Sequence, residues 1–323
     1  MSIKEIVIDC DPGQDDALAI LMALGAENIK VKALSVVAGN VGVDKTLQNA
    51  CKILSLAKRE DIPIYKGATK PLKQKHVTLE DVFGYSGMDG TSYWPCLKGN
   101  ISSVSASDFL SDLYSSQSNI HLCALAPQTN IAHALKRNSL IATNIPSLTI
   151  MGGCVFKEHI HNRFGNISYD GGKTYAEYNF ATDPEAVHQV LSSKIKQINL
   201  IGLDVTRKIL YNGEIDKKLR SIGWMGISVA DMLATVGPED VLDYGALRKN
   251  KNDPVRAIHD AVAMAYLIEP SIFVQEKIPL KIDLTNTRGK TLIDDEGFLV
   301  NVIRKVNEKS FFDIMFQTLK NLK

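Results

Sequence analysis

Between Asp9 and Asp16 the chain reads DCDPGQDD, four aspartates within eight residues. The apolar, β-branched run before them, Ile3–Ile8 (IKEIVI), reads as a buried strand. Ala17–Gly25 (ALAILMALG), after them, reads as a helix. Asp9, Asp11, Asp15 and Asp16 therefore crowd one strand-to-helix turn. Two like charges about 4 Å apart repel by about 4 kcal/mol at an effective dielectric near 20, so the turn needs compensation. Helix capping accounts for Asp15 and Asp16, each favoured by about 0.3–1 kcal/mol at the positive end of the dipole. It does not account for four. An EF-hand is a poor match, because Pro12 interrupts the loop and its twelfth position is Ile20. A metal site remains, with Gly13 allowing a tight turn. Oxygen-only ligands suit Ca2+ or Mg2+ rather than zinc.

The first two-thirds of the chain alternate strand and helix. Val31–Gly39 is a second strand-like run ending in Asn40, and Asp44–Arg59 follows with helical spacing. Asn119–Ala126 leads to a helix over Asn130–Lys136, and Ser147–Met151 leads to Gly152-Gly153. Asp183-Pro184 opens a helix with a capping residue and proline at the first helical position. Ile198–Leu203 is a further strand ending in Asp204. This rhythm predicts an α/β fold with a mainly parallel central sheet flanked by helices, and a more helical C-terminal third. Functional groups in such sheets sit at the carboxyl ends of the strands. Asp9–Asp16, Asn40, Ala126–Gln128, Met151–Gly153 and Asp204 all fall there, so one crevice is expected to collect them. The irregular stretches 70–118 and 152–175 read as loops bordering it.

Length alone allows about two domains, but no repeat, low-complexity segment or linker divides the 323 residues, so one domain over 1–323 is expected. With 37 basic against 36 acidic side chains, the chain has no electrostatic footprint for nucleic acid or an anionic membrane. Lys70–Lys75 and Arg248–Lys251 read as solvated loops. The five cysteines, Cys10, Cys51, Cys96, Cys123 and Cys154, are odd in number and include no CxxC pair. Charged residues from Lys4 onward leave no room for a secretory signal. The longest apolar run, Ala17–Ala26, falls short of the ~20 residues a membrane span needs. A cytoplasmic protein is expected.

Two further constellations carry chemistry. His259-Asp260 opens an apolar helix over Ala261–Ile268; alone, Asp260 would be an ordinary cap and His259 a structural histidine. In AEYNFATDPEA, Glu177 and Asn179 lie two apart and would share a side in an extended segment. A carboxylate beside a carboxamide suits the vicinal hydroxyls of a sugar. A polar loop before the Asp183 cap is the plainer reading of that stretch alone.

Taken together, the segments resemble the nucleoside hydrolases, in particular the inosine-uridine-preferring group. The resemblance runs through DCDPGQDDALAI (Asp9–Ile20), VVAGN (Val36–Asn40), TNIAHAL (Thr129–Leu135), MGG (Met151–Gly153), AEYNFATDPEA (Ala176–Ala186), HDAVAMAY (His259–Tyr266) and TRGKT (Thr287–Thr291). It implies one bound Ca2+ and hydrolysis of the N-glycosidic bond of ribonucleosides to ribose and free base, in a homodimer or homotetramer. By motif, Asp11, Asp16, Asp260 and the backbone carbonyl of Leu125 would ligate calcium. Asp15 would be the general base for the attacking water. Asn40, Glu177 and Asn179 would bind the ribose hydroxyls, with Asn166 a further ribose contact. His259 would donate a proton to the leaving base. A negatively lined pocket suits an oxocarbenium-like transition state. Three positions depart from the family pattern: Phe83 replaces the flap histidine, Ala261 replaces a proline, and the stretch from Asn166 to Glu177 is long.

Two other functions compete. A Mg2+-dependent phosphatase of the haloacid-dehalogenase type also places Asp-x-Asp after its first strand, and Asp294-Asp295 would supply its later acidic pair. Asp15 and Asp16, however, add negative charge where a phosphate dianion would bind. A non-catalytic, calcium-dependent nucleoside or sugar sensor would keep the ligands and lose turnover.

Overall fold

The computed structural model describes residues 3–80, 84–91, 93–95, 99–156, 164–168, 173–235 and 254–322. Phe83, Cys96 and Arg248–Lys251 lie outside them. The N-terminal half runs β1 (Lys4–Cys10), α1 (Gln14–Gly25), β2 (Ile29–Val36), α2 (Val43–Leu56), β3 (Ile64–Lys66), β4 (Ile101–Ser102), α3 (Ala106–Ser116), β5 (His121–Ala124), α4 (Thr129–Arg137) and β6 (Leu148–Met151). After it come α5 (Tyr178–Thr182), α6 (Pro184–Leu191), β7 (Ile198–Ile201), α7 (Leu203–Thr206), β8 (Leu210–Tyr211), α8 (Gly213–Arg220) and α9 (Trp224–Leu233). The chain closes with β9 (Arg256–Ala257), α10 (His259–Ile268), β10 (Phe273–Ile282), β11 (Thr291–Ile293), β12 (Phe298–Val306) and α11 (Glu308–Asn321).

Ten strands form one sheet in the order β11-β10-β12-β7-β6-β5-β1-β2-β3-β4. From β12 to β4 every neighbouring pair is parallel; β10 pairs antiparallel with both β12 and β11. This is the mainly parallel sheet expected. The C-terminal third adds, besides α9, α10 and α11, an antiparallel edge that the strand-helix rhythm does not announce. In β10 only Ile278, Leu280 and Ile282 are buried, an alternation typical of a sheet with one wet side.

Parallel strands are covered on both faces, so their side chains alternate between two apolar layers. In β1, Ile6, Ile8 and Cys10 join one layer, which contains α1 and α10, while Val7 joins the other, beneath α3, α4 and α6. Each fully buried Ile or Leu contributes about 1.5–3 kcal/mol. Helix α1 is enclosed nearly all round, only Leu24 of its twelve residues being less than buried. Its C-terminal end meets α11 so closely that a Cβ on Gly25 would lie 1.9 Å from the Thr318 carbonyl oxygen. The Asn321 side-chain amide also donates to the Gly25 carbonyl at 2.9 Å.

From β1 the chain builds β2, β3 and β4 to one side, then returns to lay β5, β6 and β7 on the other. The strand order thus reverses between β1 and β5, and the crevice at their carboxyl ends is where such sheets bind ligands.

Candidate active site

That crevice is lined by Asp11, Asp15, Asn40, Leu79, Leu125, Met151, Asn166, Glu177, Tyr178, Asn179, His259 and Asp260. Nine of the ten sequence-predicted site residues are among them. The tenth, Asp16, is fully buried beside Asp15 and Asp260. Carboxylate oxygens of Asp15, Asp16 and Asp260 all lie within 4.8 Å of one another. These are first-turn residues of α1 and α10, so two positive helix ends face the acids.

The four-aspartate turn splits in two. Asp9, still within β1, shares the face of Val7, where Oδ1 accepts from Asn130 Nδ2 at 2.8 Å and from the Ser35 hydroxyl; Asp11 lies past the end of the strand and is released from that alternation. Asp11 faces the crevice, and its Oδ2 accepts the Asn40 backbone N–H at 2.6 Å. Asn40 Nδ2 in turn donates to the Asp11 carbonyl at 3.2 Å. Asp16 accepts from the backbone N–H of Gly13 at 3.0 Å and of Asp11 at 3.3 Å, so it closes the turn as a cap besides joining the acids. Gly13 has φ −103°, which any residue adopts, so the tight turn expected there makes no use of glycine's freedom. Gly39 is the constrained glycine: a Cβ on it would lie 1.9 Å from Asp11 Oδ2.

Burial and mutual repulsion set the charge state of these acids. Asp11 is pushed well above the usual carboxylate range by burial and then by Asp16. Asp260 is raised likewise, by burial and then by Asp15 and Asp16. Asp16 is raised to about 7 by burial and by Asp15. Carboxylates this close favour a proton taken up among them, and a divalent cation satisfies the same demand. Oxygen ligands from two helix starts suit a hard cation in this way.

Glu177 and Asn179 do not sit on an extended segment. Glu177 is the N-cap of α5: Oε1 accepts from Asn179 N at 2.9 Å, and Oε2 from Gly153 N at 2.9 Å and Phe180 N at 3.1 Å. Capping brings both side chains to the crevice by a helical route. Asn179 Nδ2 donates to the Leu125 carbonyl at 2.9 Å and to the Met151 carbonyl at 3.3 Å, joining the ends of β5 and β6. Asn166 reaches the crevice with its backbone N–H on Ala176 O at 2.9 Å, while its buried Oδ1 accepts no hydrogen bond from the described residues. His259 keeps part of its surface open to the crevice, and its Nδ1 lies 2.7 Å from Thr206 Oγ1. Dense surroundings, with Arg207 and Arg256 nearby, hold the imidazole down to about 3, hence neutral at pH 7.

Other positions differ from expectation. Asp204 does not line the crevice; it accepts the backbone N–H groups of Val155 at 3.0 Å and Phe156 at 2.6 Å, pinning the loop after β6. Asp294 is bridged to Lys281 at 2.9 Å in the turn between β11 and β12, so Asp294-Asp295 supplies no second acid pair to the crevice. Sequence reasoning missed Leu79 and Tyr178 as lining residues. Tyr178 had a signal, lying between Glu177 and Asn179; its hydroxyl hydrogen-bonds with the carbonyls of Gly39 at 2.8 Å and Val77 at 2.7 Å. Leu79 had none.

Residues 6–313 match the family model described as inosine-uridine preferring nucleoside hydrolase. The pyrimidine-specific ribonucleoside hydrolase RihA of Salmonella schwarzengrund is 32% identical, over 98% of both chains. The inosine-uridine preferring nucleoside hydrolase of Leishmania major is 32% identical, over 90% of this chain and 88% of its own. Among solved structures, the purine-preferring ribonucleoside hydrolase from Gardnerella vaginalis superposes with a TM-score of 0.84 at 25% identity, covering 99% of each chain. These relatives are named for different bases, and all are named as nucleoside or ribonucleoside hydrolases. With acids, amides and an imidazole gathered where the strand order turns, and with relatives matched along almost its whole length, this chain belongs to the inosine-uridine preferring nucleoside hydrolase family and is a nucleoside N-ribohydrolase.

Proposed function

We propose that the enzyme is a calcium-dependent hydrolase of ribonucleosides acting in salvage, its whole chain 1–323 forming one catalytic domain. One observation carries the metal reading: carboxylates from the first turns of α1 and α10 converge within 4.8 Å at the switch point of the sheet. Asp11, Asp16, Asp260 and the Leu125 carbonyl would hold the ion. Bound there, calcium would anchor the ribose hydroxyls and lower the pKa of the attacking water.

The chain's own groups do the rest. Asp15 takes the proton of the water as its oxygen bonds to the anomeric carbon. Asn40, Glu177 and Asn179 bind the ribose hydroxyls, and the unpartnered Oδ1 of Asn166 is one more acceptor for the sugar. As the glycosidic bond breaks, its electron pair stays with the base. His259, neutral and with Thr206 on Nδ1, keeps its Nε2–H as a hydrogen-bond donor to the negative charge left on that base. Attack from the face opposite the base inverts the anomeric carbon. The four described cysteines are free and buried, which suits a reducing cytoplasm. A homodimer or homotetramer goes with the family resemblance.

Asp15 also lies within the acidic group, so base and ligand are separate roles to test. Asp15→Asn is expected to cut ribose release from inosine or uridine by about 10²–10⁴-fold, the usual worth of a general base, with calcium binding retained by calorimetry. Unchanged turnover would remove Asp15 as the base. Loss of calcium binding would make it a ligand.

A further inference from the structure

We infer that Thr206 and Arg207, at the end of the short helix α7, are positioning residues that set the two walls of the crevice, Thr206 through His259 and Arg207 through Asn166. The inference rests on the hydrolase reading above. Helix α7 follows β7 directly, and both residues are buried, Arg207 to within 2% of complete. Burying a guanidinium costs free energy that an apolar side chain of similar length does not, so packing alone gives no reason for arginine here. Its Nη2 donates to the Gly165 carbonyl at 2.9 Å.

Gly165 precedes Asn166 and is seated tightly. Its φ is +64°, and a Cβ there would lie 2.0 Å from the Ala176 carbonyl oxygen. The segment is therefore gripped from two sides, by Ala176 through the Asn166 N–H and by Arg207 through the Gly165 carbonyl. Between them they set the Asn166 amide, whose buried Oδ1 has no hydrogen-bond partner among the described residues. One residue earlier, the Thr206 hydroxyl lies 2.7 Å from His259 Nδ1 and holds the plane of the ring. Two residues before that, Asp204 holds the backbone of Val155 and Phe156. One short helix thus registers the sugar wall against the base wall.

Double-mutant cycles on the full-length enzyme test this, using the better of inosine and uridine beside p-nitrophenyl β-D-ribofuranoside, whose leaving group needs no protonation. Arg207→Met is expected to raise KM roughly tenfold on both substrates, the worth of one charged hydrogen bond, with a smaller change in kcat. In an Asn166→Ala background the same substitution should cost less than about twofold, because its target is gone. Thr206→Val should lower kcat for the nucleoside, spare the p-nitrophenyl riboside, and add nothing to His259→Ala. If Arg207→Met yields no folded protein, Arg207→Lys, which keeps a donor and a charge, enters the same cycle with a smaller expected loss. Full, additive losses in the Asn166→Ala and His259→Ala backgrounds would overturn the inference and leave the hydrolase reading standing. No ribose release from the unmodified enzyme would remove both.

Discussion

At the crevice, Glu177 caps α5 by accepting three backbone N–H groups, from Asn179, Gly153 and Phe180. At the far edge of the sheet, after β10, Asp283 closes a turn by accepting the N–H and hydroxyl of Thr285 on one oxygen and those of Thr287 on the other. Burial pushes Glu177 up to about 7 despite its donors, with Asp15 adding to the shift. Burial is also the largest single influence on Asp283 and pushes it up, but its four hydrogen bonds to Thr285 and Thr287 together outweigh that and hold it below the usual carboxylate range. The Asp283 turn is self-contained: it has donors for its charge, and water at its side. The crevice instead packs buried acids against one another, so that Asp11, Asp16 and Asp260 are raised by burial and by their neighbours' charge. Raised acids clustered in a cleft mark a candidate binding site, as the Asp283 turn does not.

Removing the cation should separate the two regions most sharply. Exhaustive EDTA treatment is expected to abolish ribose release and Ca2+ to restore it, while calcium at about 100 times its Kd should stabilise the fold by about 2.7 kcal/mol. Asp283→Asn should show the same calcium-induced rise in Tm as the parent enzyme. Full activity after chelation would break the contrast. Next in size, Glu177→Gln should lower kcat/KM roughly ten- to hundredfold, the worth of a hydrogen bond to a charged group, with kcat/KM of Asp283→Asn unchanged. Equal losses would mean that the crevice carboxylate is only a cap.

The two acids also differ in the sign of their pH dependence. Glu177 has a folded value of about 7 against 4.5 for the free group, so between these the folded chain keeps a proton that the unfolded chain has lost. Its contribution to stability is full below about 4.5 and declines as pH rises through 7. Asp283 is shifted down from 3.8, so its contribution is present above that value and lost as pH falls below it. In chelator, thermal melts from pH 5 to 7 should therefore show declining stability, with a shallower slope in Glu177→Gln and an unaltered slope in Asp283→Asn. Smallest of all, Asp283→Asn should cost about 1 kcal/mol at pH 7 by urea unfolding, the net worth of a neutral hydrogen bond or so.

Much of the site was legible because its residues lie at the ends of elements whose periodicity is strong. Asp15, Asp16 and Asp260 are first-turn residues, and Asn40 follows β2 closely, so the strand-helix rhythm alone brings them to one rim. Where reading failed, the deciding contact was tertiary. Asp204 stands at a strand end like the others, yet two backbone N–H groups of the β6 loop draw its carboxylate away. Asp9 belongs to the motif, yet it is still within β1 and faces Asn130 with Val7, whereas Asp11 lies past the strand end and turns to the crevice. Glu177 and Asn179 were paired on the assumption of extended backbone, whereas a capping interaction with Asn179 and Phe180 starts a helix between them. The antiparallel edge stayed hidden because β10 and β12 are joined by long-range pairing that no local pattern encodes.

Helix α1 presents Asp15 and Asp16 at one end and at the other touches α11, through the Gly25–Thr318 contact and the Asn321 amide. The last helix of the chain is thus a doorstop behind the first. Shortening the protein at its extreme C-terminus would free the rear of the rod that aims Asp15 and Asp16, so residues some 300 positions apart in the sequence share responsibility for where those two oxygens point.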